Sequence, residues 1–286
     1  MNALWSIRRE LWENRSIYLV PLAAMALVLF ALSINTIRLP HTLRTLSALE
    51  PAKQHAALLK PFSIAPAPIM FAGIVVGFFY CLDALYGERR DRSILFWKSL
   101  PVSDLTTVLS KASIPLVVLP LIGLVLGYIA QIFLLMLSTL VLRAAGMSAL
   151  PIWSEFHFFQ GPVVMIYGLA VHALWFAPLY GWLLMISAWA RRMPVLWAVL
   201  PPLAIGIAER MIFNTTYFGT LIKYRLMGAM QEAFVANPAK QHVLLDQLAQ
   251  LSPLRYFSAP GLWLGLIFAA ATLAVTVRLR HYREPI

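Results

Sequence analysis

Charge is scarce in this chain: 12% of its 286 residues are Asp, Glu, Lys or Arg, whereas 60% are hydrophobic. A soluble domain carries roughly 25% charged residues and about 45–50% apolar ones. Too few charges remain to cover a water-facing surface of this size, so most of the surface is expected to meet lipid. Cysteine is nearly absent as well. Cys81 alone excludes an intrachain disulfide, and the six histidines show no ligand spacing, so no structural zinc site is expected. The phosphate-loop pattern G-x-x-x-x-G-K-[ST] does not occur, so the chain is not expected to bind ATP in that way. Neither H-E-x-x-H nor G-x-S-x-G occurs, which leaves an intramembrane enzyme without a recognisable centre.

What is present is hydrophobic length. A membrane-spanning helix needs about 20 mostly apolar residues at 1.5 Å of rise each. Six stretches qualify: Ile17–Ile37, Ile64–Leu82, Ser113–Leu142, Val163–Ala190, Met193–Phe213 and Ala259–Val277. The expected fold is an all-α polytopic membrane protein, one transmembrane domain over residues 1–286. The first run exceeds the ~7–15 residues of a cleavable signal sequence and is read as a retained span. The third and fourth runs are long enough to tilt or to leave the lipid. Pro201-Pro202 interrupts the fifth, and Glu209-Arg210 lies near its end.

The net charge of +11 is distributed in short groups between apolar runs, which suits loops beside an anionic membrane better than a nucleic-acid surface. With the N-terminus inside, the inner segments hold 13 of the 23 basic residues in roughly 57 residues of chain, about twice the density outside. Both termini are therefore expected in the cytoplasm, with the chain in a cytoplasmic (bacterial inner) membrane. Before the first span, Leu4, Ile7, Leu11 and Trp12 fall at helical spacing opposite Arg8, Arg9 and Glu13, the pattern of an interfacial helix over residues 1–16. On the outer side, Leu39, Leu43, Leu46 and Leu49 predict a helix. The region 214–258 predicts two: one over Leu221–Ala236 with Ile222, Leu226, Met230 and Ala233 on one face, and another opened by Asn237 and Pro238 and carrying Leu244, Leu248 and Leu251.

The most informative segment is Asp83–Lys111, DALYGERRDRSILFWKSLPVSDLTTVLSK. Ser103 stands at an N-cap position with Asp104 in the first turn, and Pro101 separates that helix from the one before. Glu88, Arg89, Arg90, Asp91 and Arg92 precede Ile94, Leu95, Phe96 and Trp97. Mixed charges beside large apolar side chains suit a protein-docking element, with aromatics as anchors and charges setting register. The alternative is that Phe96 and Trp97 rest on the membrane interface.

The order of charged cluster, apolar turn, Leu100-Pro101, Ser103 and Lys111 resembles the first cytoplasmic loop of type 2 ABC exporter permeases. The interfacial N-terminal helix, six spans and outer helices between the fifth and sixth are similar to that family too. The chain departs in its larger outer loop after the fifth span and in the structured residues after the first. The resemblance implies a permease subunit that pairs with a second permease copy, as a homodimer, and with separate ATP-binding subunits carrying ATP and Mg. It implies a coupling element of Glu88, Arg89, Arg90, Asp91, Arg92, Leu95, Phe96, Trp97, Lys98, Leu100 and Pro101. An ion-coupled secondary transporter is the nearer rival class, and an intramembrane enzyme the further one.

Three small-residue pairs, Gly73/Gly77, Gly123/Gly127 and Gly261/Gly265, are read either as a dimer seam or as packing within one chain. His172 is a packed group or a pathway ligand. Glu209 and Arg210 point about 100° apart on a helix; they snorkel to the interface, face a polar vestibule or grip the outer helices. Asn214-Thr215-Thr216 matches a glycosylation sequon, a pattern common by chance.

Overall fold

A computed structural model describes residues 3–46, 61–62, 64–99, 102–155, 160–234 and 248–282. Among these, every regular element is helical, apart from one isolated antiparallel bridge between Phe234 and Leu251. The short helix α1 (Ala3–Glu13) precedes the first span, α2 (Ser16–Ile37), and α3 (Leu39–Leu46) follows it. The second span, α4 (Pro66–Ala84), runs on into α5 (Tyr86–Arg90) and then α6 (Ser93–Ser99). The third is α7 (Asp104–Ala144), followed by α8 (Leu150–Glu155). The fourth, α9 (Gln160–Trp189), and the fifth, α10 (Pro194–Phe213), lead to α11 (Tyr217–Ala233), α12 (Pro253–Ser258) and the sixth span, α13 (Pro260–Tyr282). Six helices are thus long and apolar enough to cross a membrane, at the six stretches expected.

The largest boundary difference is in the third span, which begins at Asp104 rather than Ser113. Its 41 residues give about 60 Å of helix, twice a hydrocarbon core. Hydrophobicity reports where lipid begins, not where a helix does. Ser103 starts this one: its backbone is extended, and its hydroxyl accepts from the Thr106 amide at 3.1 Å. Pro115 is accommodated within this helix by a π-helical stretch, Ile114–Val118, because proline can neither donate nor fit the regular i−4 geometry.

The near end of the bundle is the one at which Arg9 of α1 and Arg280 of α13 gather around Glu88. Its core joins Ile17, Tyr80, Cys81, Ile114, Leu119, Tyr180, Leu183 and Leu184. At the far end, Leu39 and Leu43 of α3 pack on Leu134, Leu135 and Leu142, as their spacing predicts, while Leu49 lies outside the described residues. A second far cluster places Ala229, Ala233 and Phe234 against Val164, Val171, Trp175 and Leu262.

Because lipid tails are as apolar as leucine, close packing and hydrogen bonds hold the spans together. Ser187 shows how: its hydroxyl donates to Leu82 O at 2.8 Å and accepts from the Leu85 and Tyr86 amides at 3.0 Å each, tying the end of α9 to α4 and α5. The fifth span is the exception. Only Pro194 and Ala198 are buried in it, and both its flanks, Met193 and Asn214, take left-handed backbone.

Helix α11 differs from expectation in its face. Ile222, Leu226 and Met230 are exposed, while Gly228, Ala229 and Ala233 are buried. Small residues let α11 lie close to the fourth span, where a Cβ on Gly228 would stand 3.1 Å from Trp175. The second outer helix, opened by Asn237 and Pro238 and including Leu244, lies outside the described residues; Leu248–Gln250 form a single 3-10 turn before Leu251.

Candidate functional site

The segment between the second and third spans folds as two short helices at the near end. Arg92, with φ of 58°, turns the chain between α5 and α6. L residues carry a left-handed conformation at a cost of about 1–2 kcal/mol, so tertiary contacts must hold this turn.

Those contacts divide the charged cluster that composition presents as uniform. Arg90, Asp91 and Arg92 are exposed, but Glu88 and Arg89 are 8% and 3% exposed. These two residues of the expected docking element thus face inward, because α5 places them on the side that packs on the spans. Arg89 donates to Ala188 O at 2.7 Å and Ala190 O at 3.1 Å, satisfying carbonyls left open at the end of α9. In α6, Ile94 is buried, whereas Leu95 and Phe96 point outward, 59% and 61% exposed. Trp97 turns back under Arg9, whose guanidinium carbon sits 3.9 Å from the ring centroid, and Lys98 donates to His281 O at 3.1 Å. The outward surface is Leu95 and Phe96 flanked by Arg90, Asp91 and Arg92. Leu100 and Pro101 lie outside the described residues.

Beneath this element is a buried ionic cluster of residues from five segments. Lys111 Nζ is 2.9 Å from Glu10 Oε1 and 3.1 Å from Glu88 Oε1. Arg9 lies 2.6 Å from Glu10 and 3.6 Å from Glu88, and Arg280 binds Glu88 Oε2 at 3.3 Å and also Asp104. Tyr80 donates to Glu10 Oε2 at 2.7 Å. Three cations, Arg9, Lys111 and Arg280, balance three anions, Glu10, Glu88 and Asp104. Burial alone raises the Glu10 carboxyl; the Lys111 charge and the hydrogen bonds from Tyr80, Lys111 and Arg9 outweigh it and hold the group below its ordinary value. Breaking one partner of such a cluster costs about 3–5 kcal/mol, since it strands a buried charge.

Glu10 and Arg280 were not singled out by sequence. A signal existed for Glu10: Ile7 and Leu11 flank it on the helix surface, so it belongs to the apolar face of α1 rather than the opposite one. In the structure Ser6 and Glu10 are buried, with Ile7 and Leu11 packed beside the core, and Trp12 and Arg8 are exposed.

The remaining candidates make contacts within the chain. His172 is buried, and its Nε2 lies 3.3 Å from Pro115 O; since a carbonyl only accepts, the imidazole donates from that nitrogen. The ring sits among Phe176, Tyr180 and the π-helical turn. Glu209 caps α11, accepting from the Tyr217 and Phe218 amides at 2.7 and 2.8 Å and from the Thr215 hydroxyl at 2.8 Å. These bonds tie the end of the fifth span to α11, while Arg210 is exposed.

All three glycine pairs are occupied by this chain's own residues. A Cβ on Gly77 would meet Pro115 and Tyr180, and one on Gly73 approaches Leu119 O. Gly123 and Gly127 face Met70 and Pro66. Gly261 and Gly265 admit Tyr224 and Arg225 of α11. Arg225 donates to Trp175 O at 3.2 Å and Gly261 O at 2.6 Å and lies over the Trp175 ring. Packing within one chain accounts for the glycines. Comparison of the chain with protein-family models, curated proteins and solved structures gives no match.

Proposed function

We propose that the chain is the membrane permease subunit of an ATP-driven ABC exporter, with its near end in the cytoplasm of a bacterial inner membrane. The observation that carries this reading is the build of α5 and α6. A small apolar patch, Leu95 and Phe96, is exposed among charges of both signs, while its underside is fixed to the spans by Glu88 and Arg89 and to α1 by Trp97, with Ile94 buried. A lipid-resting turn needs no such fixation. An element that receives force from a partner does, because a compliant mount would absorb the movement.

The partner is an ATP-binding subunit, which supplies ATP and Mg; the permease contributes the docking surface and the pathway. The working unit pairs two permease copies through surfaces other than the three glycine pairs, which are already filled. The buried acids Glu10 and Glu88 lie at the near end rather than at mid-membrane, which accords with mechanical coupling better than with ion-coupled transport.

Expression of the chain with candidate ATPases, followed by purification in mild detergent and reconstitution, tests the reading. The expected result is a complex of two permeases and two ATPases whose hydrolysis drives export. Transport by the purified chain alone, without any ATPase, overturns it.

A further inference from the structure

Resting on that reading, we propose that Glu88 is the joint through which movement of the docking element reaches the bundle. One carboxylate touches cations on three other elements: Arg9 on α1, Lys111 on α7 and Arg280 on α13. The adjacent Arg89 holds the end of α9, and the chain itself continues α4 into α5. Two neighbouring side chains thus connect a five-residue helix to the near ends of the second, third, fourth and sixth spans and to the interfacial helix. A covalent linker alone would pull on the second and third spans only.

The cluster is also incompletely satisfied. Arg9 Nε, Glu88 Oε1 and Arg280 Nε are buried without a hydrogen bond, although Glu88 Oε1 stands at ion-pair distance from Lys111 and Arg9 Nε lies 3.6 Å from Glu13. Buried polar atoms left in this way are costly, and a shifted arrangement that pairs them gives the cluster a second seat. Glu88 exchanges weight among three cations as α5 moves, which couples those elements without requiring a new charge in the interior.

Two readouts test this. In the isolated protein in lipid nanodiscs, amide exchange is followed for Glu88→Gln and for Glu88→Gln with Lys111→Met. The double variant removes one charge of each sign, so it keeps the cluster balanced if the single variant folds poorly. Faster exchange by about tenfold or more, appearing together in α1, residues 104–111 and residues 276–282, is expected. In the reconstituted complex, the same variants are expected to bind the ATPase within about twofold of wild type while transport per ATP falls about tenfold. Exchange unchanged in the double variant overturns the joint, and so does loosened exchange with intact transport per ATP. If the wild-type chain binds no ATPase, the permease reading falls while the exchange experiment still judges the joint by itself.

Discussion

Phe96→Ala is the sharpest test of the docking surface. A Phe side chain brings roughly 150–250 Å² into an interface when buried. With 61% of this residue exposed, on the order of 100 Å² remains available for a partner to cover. At about 25 cal/mol per Å² that is about 2.5 kcal/mol, and the cost of ordering the side chain lowers it to about 2. At RT near 0.6 kcal/mol, association with the ATPase should weaken about thirtyfold. Trp97→Ala should cost less affinity, because the ring already lies under Arg9, and its loss removes a contact of about 0.5–2 kcal/mol within the permease itself. Arg90→Ala, at an exposed rim position, should have a small effect that grows at low salt. Titration of detergent-solubilised variants against the ATPase by light scattering or pull-down measures all three. Wild-type affinity in both Phe96→Ala and Leu95→Ala would refute the assignment, and a larger loss from Trp97→Ala would move the anchor inward.

Gly265→Ala should displace Arg225 and loosen α11, lowering stability by about 1–3 kcal/mol in thermal melts, whereas Gly73→Ala, whose Cβ meets only Leu119 O at 3.8 Å, should be tolerated. Glu209→Gln should weaken the cap of α11 by about 1 kcal/mol, read as faster amide exchange at Tyr217 and Phe218 with the spans unchanged. The Glu10 carboxyl is held below its ordinary value of 4.5, so its contribution is fully present above that value and is lost as pH falls through the lower folded value. Thermal stability should therefore drop as pH is lowered below about 4.5, and Glu10→Gln should flatten that part of the profile at a lower plateau. In a Cys81→Ser background, Ser99→Cys should react with impermeant thiol reagents from the cytoplasmic side only; labelling solely from outside would invert the topology.

The six spans were legible because hydrophobic length is a property of the chain alone: about 30 Å of lipid demands a run of apolar residues wherever the helix packs. The N-cap at Ser103 and the amphipathic α3 were legible for a similar reason, since local spacing and one hydroxyl decide them. That this helix runs on into the third span was not, because α7 continues through Asp104, Thr107 and Lys111 on contacts with α1 and α13, outside the lipid that hydropathy measures. Nor could composition separate Glu88 and Arg89 from Arg90, Asp91 and Arg92. All five residues are charged, and only the packing of α5 on the spans sends two of them inward and leaves three in solvent. The same holds for the glycine pairs, whose spacing permits a close approach without naming the neighbour; Tyr224 and Arg225 arrive at Gly261 and Gly265 from a helix some 40 residues earlier in the chain. What only tertiary structure decides here is which partner meets each charge, because a buried ion is tolerable only beside its counter-ions, and those lie on segments far apart in sequence.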